Sequence, residues 1–315
     1  MKNTYKLTEG AALLAVFSVL LLMTLYIPVV GSITSLFLPL PFIMYAAKSG
    51  WKSSAVFMIA AILLSLIIGS WLAIPFTLSL GLTGIVMGLA IREKKSRQMV
   101  YVAGSLVFLV NIVAIYGISV KFFDINFIKE MMDALRRSID MSIGMLKGMG
   151  QPADEKMIQQ WTDSIDLLEV LLPSLFVIFA FVNVLITQLV SFPILKRFGI
   201  QIAGWKPFRE ITVPKSVLWY YLLTLLASML FKPEEGTYWY IALANLVFIL
   251  QFLMVIQGLS FLFYVAYFKG YSKAWAVAAA FLAFLIPIVF YIIRILGIID
   301  IGFDLRKRLG RNDQK

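Results

Sequence analysis

Long apolar runs, separated by short stretches that hold the charged residues, constrain this fold more than any other feature of the sequence. The runs lie at roughly 8–29, 33–47, 53–72, 74–91, 99–120, 168–192, 214–231, 238–268 and 274–298. Most of them approach or exceed the roughly 20 residues that a helix needs to cross a bilayer. Since backbone in lipid must satisfy its own hydrogen bonds, the runs predict helices. We therefore predict an all-α, polytopic transmembrane bundle with eight or nine apolar segments.

Composition agrees with this class and excludes several kinds of chemistry. Hydrophobic residue types make up 61% of the chain and charged types only 14%, which a soluble domain of 315 residues could not accommodate. The chain has no cysteine and no histidine, which excludes disulfides, Cys/His metal sites and Ser-His-Asp or Cys-His catalysis. No apolar run carries a central carboxylate, and the chain has no G-x-x-x-x-G-K-[ST] phosphate loop. We predict no enzymatic activity, no cofactor and no metal.

The distribution of basic residues predicts the orientation of the chain in the membrane. The net charge is +11, and the basic residues flank the apolar runs, so the expected partner is a lipid bilayer with an anionic leaflet and not nucleic acid. Loops 48–52, 92–97 and 196–215 are basic, whereas loops 28–35 and 69–75 carry no charge. This alternation predicts a multi-pass protein of the cell membrane with a cytoplasmic N-terminus.

The last apolar run conflicts with this orientation. A ninth crossing would place four basic residues of the tail on the outer side, namely Arg306, Lys307, Arg308 and Arg311. Either the tail is an exception, or a late segment does not cross, and Pro287 in the middle of the run could break it. The tail at 299–315 reads either as a basic helix at the bilayer interface or as a docking element for a cytoplasmic partner.

The segment 121–167 is the only sizeable region between the apolar runs. The stretch 121–169 holds six basic and nine acidic residues, which suits the outer side. Apolar residues recur there at spacings of three and four, which predicts an amphipathic helix: Ile128, Met131, Leu135 and Ile139. Gly148, Gly150 and Pro152 should end it, and a second helix should begin near Asp154. The expected extracytoplasmic helical hairpin would cover a vestibule, lie on the bilayer surface or pack on other loops.

Two sets of residues within the runs are candidate contact sites. Ala11 and Ala15 are small residues one turn apart, a spacing that lets helix backbones approach closely in lipid. The candidate polar residues inside the runs are Asn111, Asn183, Thr187, Asn245, Gln251 and Gln257, and Gln188 lies beside Thr187. Both sets have two interpretations. The alanines either pack within the chain or dock a partner, and the polar residues either join helices by hydrogen bonds or contact a neutral ligand.

Short motifs in a fixed order carry a family resemblance along nearly the whole chain. They are Leu7-Thr8-Glu9-Gly10-Ala11, Leu38-Pro39-Leu40-Pro41, Gln257-Gly258, and Gly297-Ile298-Ile299-Asp300 followed by Asp304 and Arg306. Together they resemble the YybS-like family of bacterial membrane proteins, which is grouped under a domain of unknown function. This resemblance implies a membrane-embedded fold and supplies no activity.

A second resemblance covers roughly 8–196. Ala11-x-x-x-Ala15, an uncharged loop with Pro28 and Gly31, and a short Pro-rich second helix are similar to the substrate-binding S components of energy-coupling-factor transporters. The resemblance implies that Ala11 and Ala15 dock a transmembrane coupling subunit and that a small molecule binds in an outer pocket. It also implies an S-component-like bundle at 1–196 with the hairpin 121–167 inserted, additional helices at 197–298 and the tail at 299–315. The insertion, the helices after 196 and the single Gly50 depart from the S-component pattern.

Two functions follow from these observations. The leading hypothesis is an S-component-like protein that binds an unknown small molecule for uptake, with a separate coupling subunit and ATPases. The alternative is a non-transporting scaffold or regulatory protein that recruits a cytoplasmic partner. An outer cavity lined by polar groups would favour the first function, and a solidly packed bundle would favour the second.

Overall fold

A computed structural model describes the backbone at residues 2–149 and 154–312, and side chains from residue 7 onward except at 284 and 310–312. Within the described residues the chain is helical and contains no strand. The helices are α1 (Lys2–Tyr26), α2 (Pro28–Thr34), α3 (Pro39–Ser49), α4 (Trp51–Gly69), α5 (Ile74–Arg92), α6 (Arg97–Phe123), α7 (Phe127–Gly148), α8 (Glu155–Val170), α9 (Leu172–Arg197), α10 (Lys215–Phe231), α11 (Tyr238–Phe268), α12 (Lys273–Leu285), α13 (Pro287–Phe303) and α14 (Leu305–Asn312). The all-α prediction is confirmed.

Seven of the described segments are long and apolar enough to cross a membrane. They are Leu7–Tyr26, Pro28–Ser49, Trp51–Gly69, Trp71–Arg92, Arg97–Phe123, Leu172–Arg197 and Tyr238–Phe268. The helix α10 is apolar but shorter, with 17 residues. The short second run predicted at 33–47 was wrong in length, because α2, a 3₁₀ turn at Ser35–Phe37 and α3 together form a segment of 22 residues. Pro28 and Pro39 permit this because each lies in the first turn of its helix, where no backbone donor is lost.

The last apolar run is two helices and not one straight span. Ile286 is extended, with φ −121° and ψ 108°, and Pro287 begins the next helix. A proline disfavours helical backbone in the residue before it, which explains the break. Counted together, the two helices pass as one span bent by 119°. The hypothesis that Pro287 breaks this run is therefore confirmed.

The break bears on the conflict over the basic tail. Lys215, the first residue of α10, forms an ion pair with Asp304, with 2.5 Å between nitrogen and oxygen. Arg306 donates a hydrogen bond to the backbone oxygen of Arg209. The start of the tail thus lies at the same end of α10 as the basic segment 206–215, so the tail needs no exception to the charge pattern.

The chain divides into two compact units, which comprise residues 1–142 with 175–205 and residues 143–174 with 206–315. The core of the first unit is built on buried aromatic residues of α1, α3 and α4, where Phe17, Phe42 and Phe57 contact edge to face. The helix α5 packs closely on α3, since a Cβ on Gly88 would lie 2.4 Å from the backbone oxygen of Ile43.

The core of the second unit joins α10, α11 and α13. Leu218, Tyr221, Met254 and Ile301 are buried there together. The segment predicted as a hairpin contains the two expected helices, α7 and α8, and α7 ends at Gly148 as predicted. Asp154 caps α8 by accepting a hydrogen bond from the backbone N–H of Lys156. Gly150 and Pro152, which were also predicted to break the helix, lie outside the described residues.

Candidate functional site

The first unit contains a cavity of about 470 Å³ among α5, α6, α7, α9 and the turn before α3. Its volume lies in the range of small-molecule sites, which is about 300–1,000 Å³. Its wall is mainly aromatic and aliphatic, and none of the described residues that line it carries a charge: Ser35, Leu36, Pro75, Phe76, Ser79, Leu80, Phe108, Ile112, Ile115, Tyr116, Phe127, Ile128, Phe176, Phe179, Asn183 and Thr187. The cavity is therefore suited to an uncharged molecule.

Three polar side chains in this wall are available to a ligand. Ser79, Asn183 and Thr187 line the cavity, and among the described residues none of their side chains has a hydrogen-bond partner. Ser79 is 7% and Thr187 2% exposed. Because these side chains line the cavity and have no partner in the fold, they can bond to water or to a ligand there. Two of the three residues, Asn183 and Thr187, are among those singled out from sequence.

The lining residues place the cavity toward one end of the first unit. Ser35 and Pro75 lie near the beginnings of their spans, close to the turns at Ile27 and Ser70, and Tyr116 lies near the end of α6. The sequence predicts these turns on the outer side. Phe127 and Ile128, at the beginning of α7, complete the wall. The amphipathic helix thus begins at the cavity.

A second polar site lies in the second unit and centres on Arg306. Its guanidinium Nε donates to Asp300 Oδ2 at 2.9 Å, and Nη1 donates to the backbone oxygens of Arg209 and Ile211 at 2.8 and 3.2 Å. Nη2 donates to Ser260 Oγ at 3.1 Å. The guanidinium carbon also lies 5.4 Å from the ring centre of Tyr264. This arrangement satisfies a cation within the fold, as a buried charge requires.

Gln257 completes this Arg306 cluster, which comprises Gln257, Ser260, Asp300 and Arg306. Its Nε2 donates to Asp300 Oδ2 at 2.5 Å, and its Oε1 accepts the backbone N–H of Val213 at 2.8 Å. The side chain of Asp300 is only 2% exposed. The cluster therefore ties the segment before α10 to α11 and to the end of α13.

Asn245 has a structural role within the second unit. Its Oδ1 accepts hydrogen bonds from the backbone N–H and the hydroxyl of Ser174, at 2.9 and 2.6 Å. Its Nδ2 donates to the backbone oxygen of Val170 at 2.7 Å. These bonds join α11 to the junction of α8 and α9, so the interpretation as a helix-joining residue fits Asn245.

The other candidates lie apart from both sites. Asn111 donates to the backbone oxygen of Val107 in its own helix, and Gln251 is half-buried on α11. Ala11 and Ala15 are exposed on α1. Their proposed docking role stays a prediction. Among the residues whose side chains are described, no three acidic side chains come together as a metal site would require.

Sequence reasoning missed the Arg306 cluster. It interpreted the stretch around Asp300 as an interfacial tail, whereas the structure buries Asp300 and uses Arg306 as an internal ligand. A tail that docks a partner would have to use Lys307 and Arg308, which are exposed. The available signal was the polar Gln257 beside Gly258, because polar residues in apolar helices usually face other helices.

Asp304 differs from Asp300, since its ion pair with Lys215 is exposed and lowers the pKa of its carboxyl.

Comparison with known proteins identifies the family. The model of the predicted membrane proteins of the DUF2232 family matches residues 15–301. The chain belongs to this family. It is also 34% identical over 310 residues to the uncharacterized protein YybS of Bacillus subtilis (strain 168), which covers 98% of the chain and all of that protein. The YybS-like resemblance is thus confirmed, and the chain is a multi-pass membrane protein. No solved structure matches it, so the likeness to S components gains no support.

Proposed function

We propose that this protein binds a small, uncharged and largely apolar molecule in the cavity of the first unit. The observation that carries the proposal is the set of unpartnered polar side chains, Ser79, Asn183 and Thr187, in an otherwise apolar wall of about 470 Å³. Sites for small molecules typically combine such a wall with a few polar groups that fix the orientation of the ligand.

The beginning of α7 supports a role for this helix in access. Phe127 and Ile128 form part of the wall, while Met131 and Met141 further along α7 are about half exposed or more, at 50% and 61%. Methionine side chains adapt to changing surfaces at little cost. In this proposal α7 covers the cavity and moves when the ligand enters or leaves.

In its more specific form, the proposal is that the protein binds this molecule for uptake into the cell. The chain has no phosphate loop, so energy would come from ATPases on other subunits through a transmembrane coupling subunit. Ala11 and Ala15 are exposed on α1 and would form the contact with that subunit. Close approach of small residues is a main source of helix association in lipid.

Native mass spectrometry of the protein purified from its own host tests the binding. We expect the unaltered chain to carry a small molecule that is released on unfolding. Ile112→Trp should displace it, because Ile112 lines the cavity and the larger ring fills the space. Ile118→Trp is the matched control, since Ile118 lies on the same helix, is 50% exposed and is not part of the wall. An unaltered chain without any bound molecule, or equal binding by Ile112→Trp, would refute the proposal.

A further inference from the structure

A second cavity, of about 290 Å³, lies in the first unit beside the ends of α5 and α9 and the beginning of α6. Its wall combines Lys94, Lys95 and Arg97 with Gln201 from the segment after α9. Its apolar part includes Ile91 and Val100, which are 6% and 1% exposed. It shares no lining residue with the larger cavity. This basic cavity is not used by the proposed function.

Arg97 is held in place before any ligand arrives. Its Nε donates to Gln188 Oε1 at 3.3 Å, and its guanidinium carbon lies 4.8 Å from the ring centre of Phe192 and 5.1 Å from that of Trp205. Gln188 and Phe192 are almost completely buried, at 0% and 1% exposure. Among the described residues the terminal nitrogens of Arg97 have no hydrogen-bond partner. A guanidinium fixed in this way loses little freedom on binding and presents paired donors.

The local charge favours an anion. Lys94, Lys95 and Arg97 are basic, and the acidic residue beside them, Glu93, forms a loose ion pair with Lys95, at 3.7 Å between nitrogen and oxygen. Arg97 is also the first residue of α6, so the positive end of the helix dipole lies at the cavity, where Ser96 Oγ caps the helix by accepting the backbone N–H of Met99. A phosphate group matches paired guanidinium donors flanked by two ammonium groups.

The position of the cavity indicates where the phosphate comes from. The helices α5 and α9 end and α6 begins beside it, which is the level at which lipid headgroups lie. The apolar part of its wall, Ile91 and Val100, suits the glycerol and first acyl carbons of a lipid, which a soluble phosphate lacks. We propose that Lys94, Lys95 and Arg97 bind the phosphate of an anionic phospholipid headgroup, and that this site is specific and not only part of the general charge of the loops.

Lipid adducts on the full chain in native mass spectrometry test this site. After partial delipidation, the protein is mixed with phosphatidylglycerol, with phosphatidylcholine or with inorganic phosphate. We expect phosphatidylglycerol to remain bound and phosphatidylcholine to be lost. Lys94→Gln with Arg97→Gln should weaken phosphatidylglycerol binding about tenfold, because hydrogen bonds to charged groups are lost.

The control variants separate this site from general attraction and from misfolding. Lys52→Gln with Lys269→Gln removes the same charge from exposed positions outside the cavity and should leave binding unchanged. Lys94→Glu with Lys95→Glu changes only exposed side chains and spares the core, yet should also weaken binding. Equal weakening by the Lys52 and Lys269 pair would show general attraction and overturn the proposal. If the protein retained inorganic phosphate but not phosphatidylglycerol, the proposal that the bound phosphate belongs to a lipid would be wrong.

Discussion

Gly258 of α11 and Gly297 of α13 lie in direct contact, so close that neither position has room for a side chain. A Cβ on Gly258 would lie 1.9 Å from the backbone oxygen of Ile293, and one on Gly297 would lie 2.0 Å from that of Met254. Backbone atoms cannot move aside as the end of a side chain can. The approach of α11 and α13 therefore depends on both glycines, and it brings Gln257 within reach of Asp300.

We expect Gly258→Ala and Gly297→Ala each to lower the free energy of unfolding by about 1–3 kcal/mol or more, through overpacking. Thermal unfolding in detergent measures the effect. Gly302→Ala is the matched control in the same helix, because its nearest neighbour, Leu218 Cδ2, lies at an ordinary 3.6 Å. That control should be neutral or slightly stabilising, since alanine favours a helix over glycine. Equal melting temperatures for all three variants would contradict the close contact.

Removal of Arg306 should destabilise the protein strongly. Arg306→Gln leaves the buried carboxylate of Asp300 without its cation, a loss that typically costs about 3–5 kcal/mol. The exposed neighbour Lys307 serves as the control, and Lys307→Gln should change the melting temperature little. In a double-mutant cycle, Asp300→Asn with Arg306→Gln should cost less than the sum of the two single changes. Additive costs would mean that the two residues act independently.

The start of the tail should be exposed on the same side of the membrane as the segment before α10. Single cysteines can be introduced at the exposed positions Lys206 and Lys307, because the chain has no other cysteine. Lys206→Cys and Lys307→Cys should react alike with an impermeant thiol reagent applied to intact cells. Glu235→Cys, at the other end of α10, should react in the opposite way. Reaction of Lys307→Cys in the manner of Glu235→Cys would contradict the ion pair between Lys215 and Asp304.

The exposed alanines of α1 should tolerate large side chains. Ala11→Trp with Ala15→Trp is expected to leave the melting temperature in detergent unchanged, because both positions are exposed. If they dock a coupling subunit, the same double variant should lose that subunit on co-purification, since bulk holds the helices apart. The control is Val16→Trp, which changes another exposed position of α1, about a third of a turn from Ala15. This variant should retain the coupling subunit. A large fall in stability of the double variant would instead indicate packing within the chain.

Apolar periodicity made most of the helices predictable, because a span in lipid must be both long and apolar. The same pattern cannot show a break inside an apolar run, and the bend at Ile286 depends on the geometry before Pro287. The apolar pattern also made the second run too short. The span there includes α2, a 3₁₀ turn and α3, and hydropathy does not show that they are continuous.

The candidate sites were predictable only where spacing along one helix decided the geometry. Asn183 and Thr187 are four residues apart, so they share a face, and both line the larger cavity. The Arg306 cluster joins residues from α11, from the segment before α10 and from the end of the chain. Such a meeting depends on the bend before α13 and on the contact of two glycines, neither of which has a periodic signal. Arg97 was assigned only to a basic loop, because its aromatic neighbours lie far along the chain.

The bonds of Arg306 also set the order in which the second unit can be completed. The contact with the backbone oxygen of Arg209 spans 97 positions of the chain. During synthesis, α10 and α11 must therefore enter the membrane while Gln257 and Ser260 still lack their later partners. These contacts form only after Arg306 has left the ribosome. Until then Asp300 lacks its cation, so the buried carboxylate of the second unit is compensated only after its earlier helices have been made.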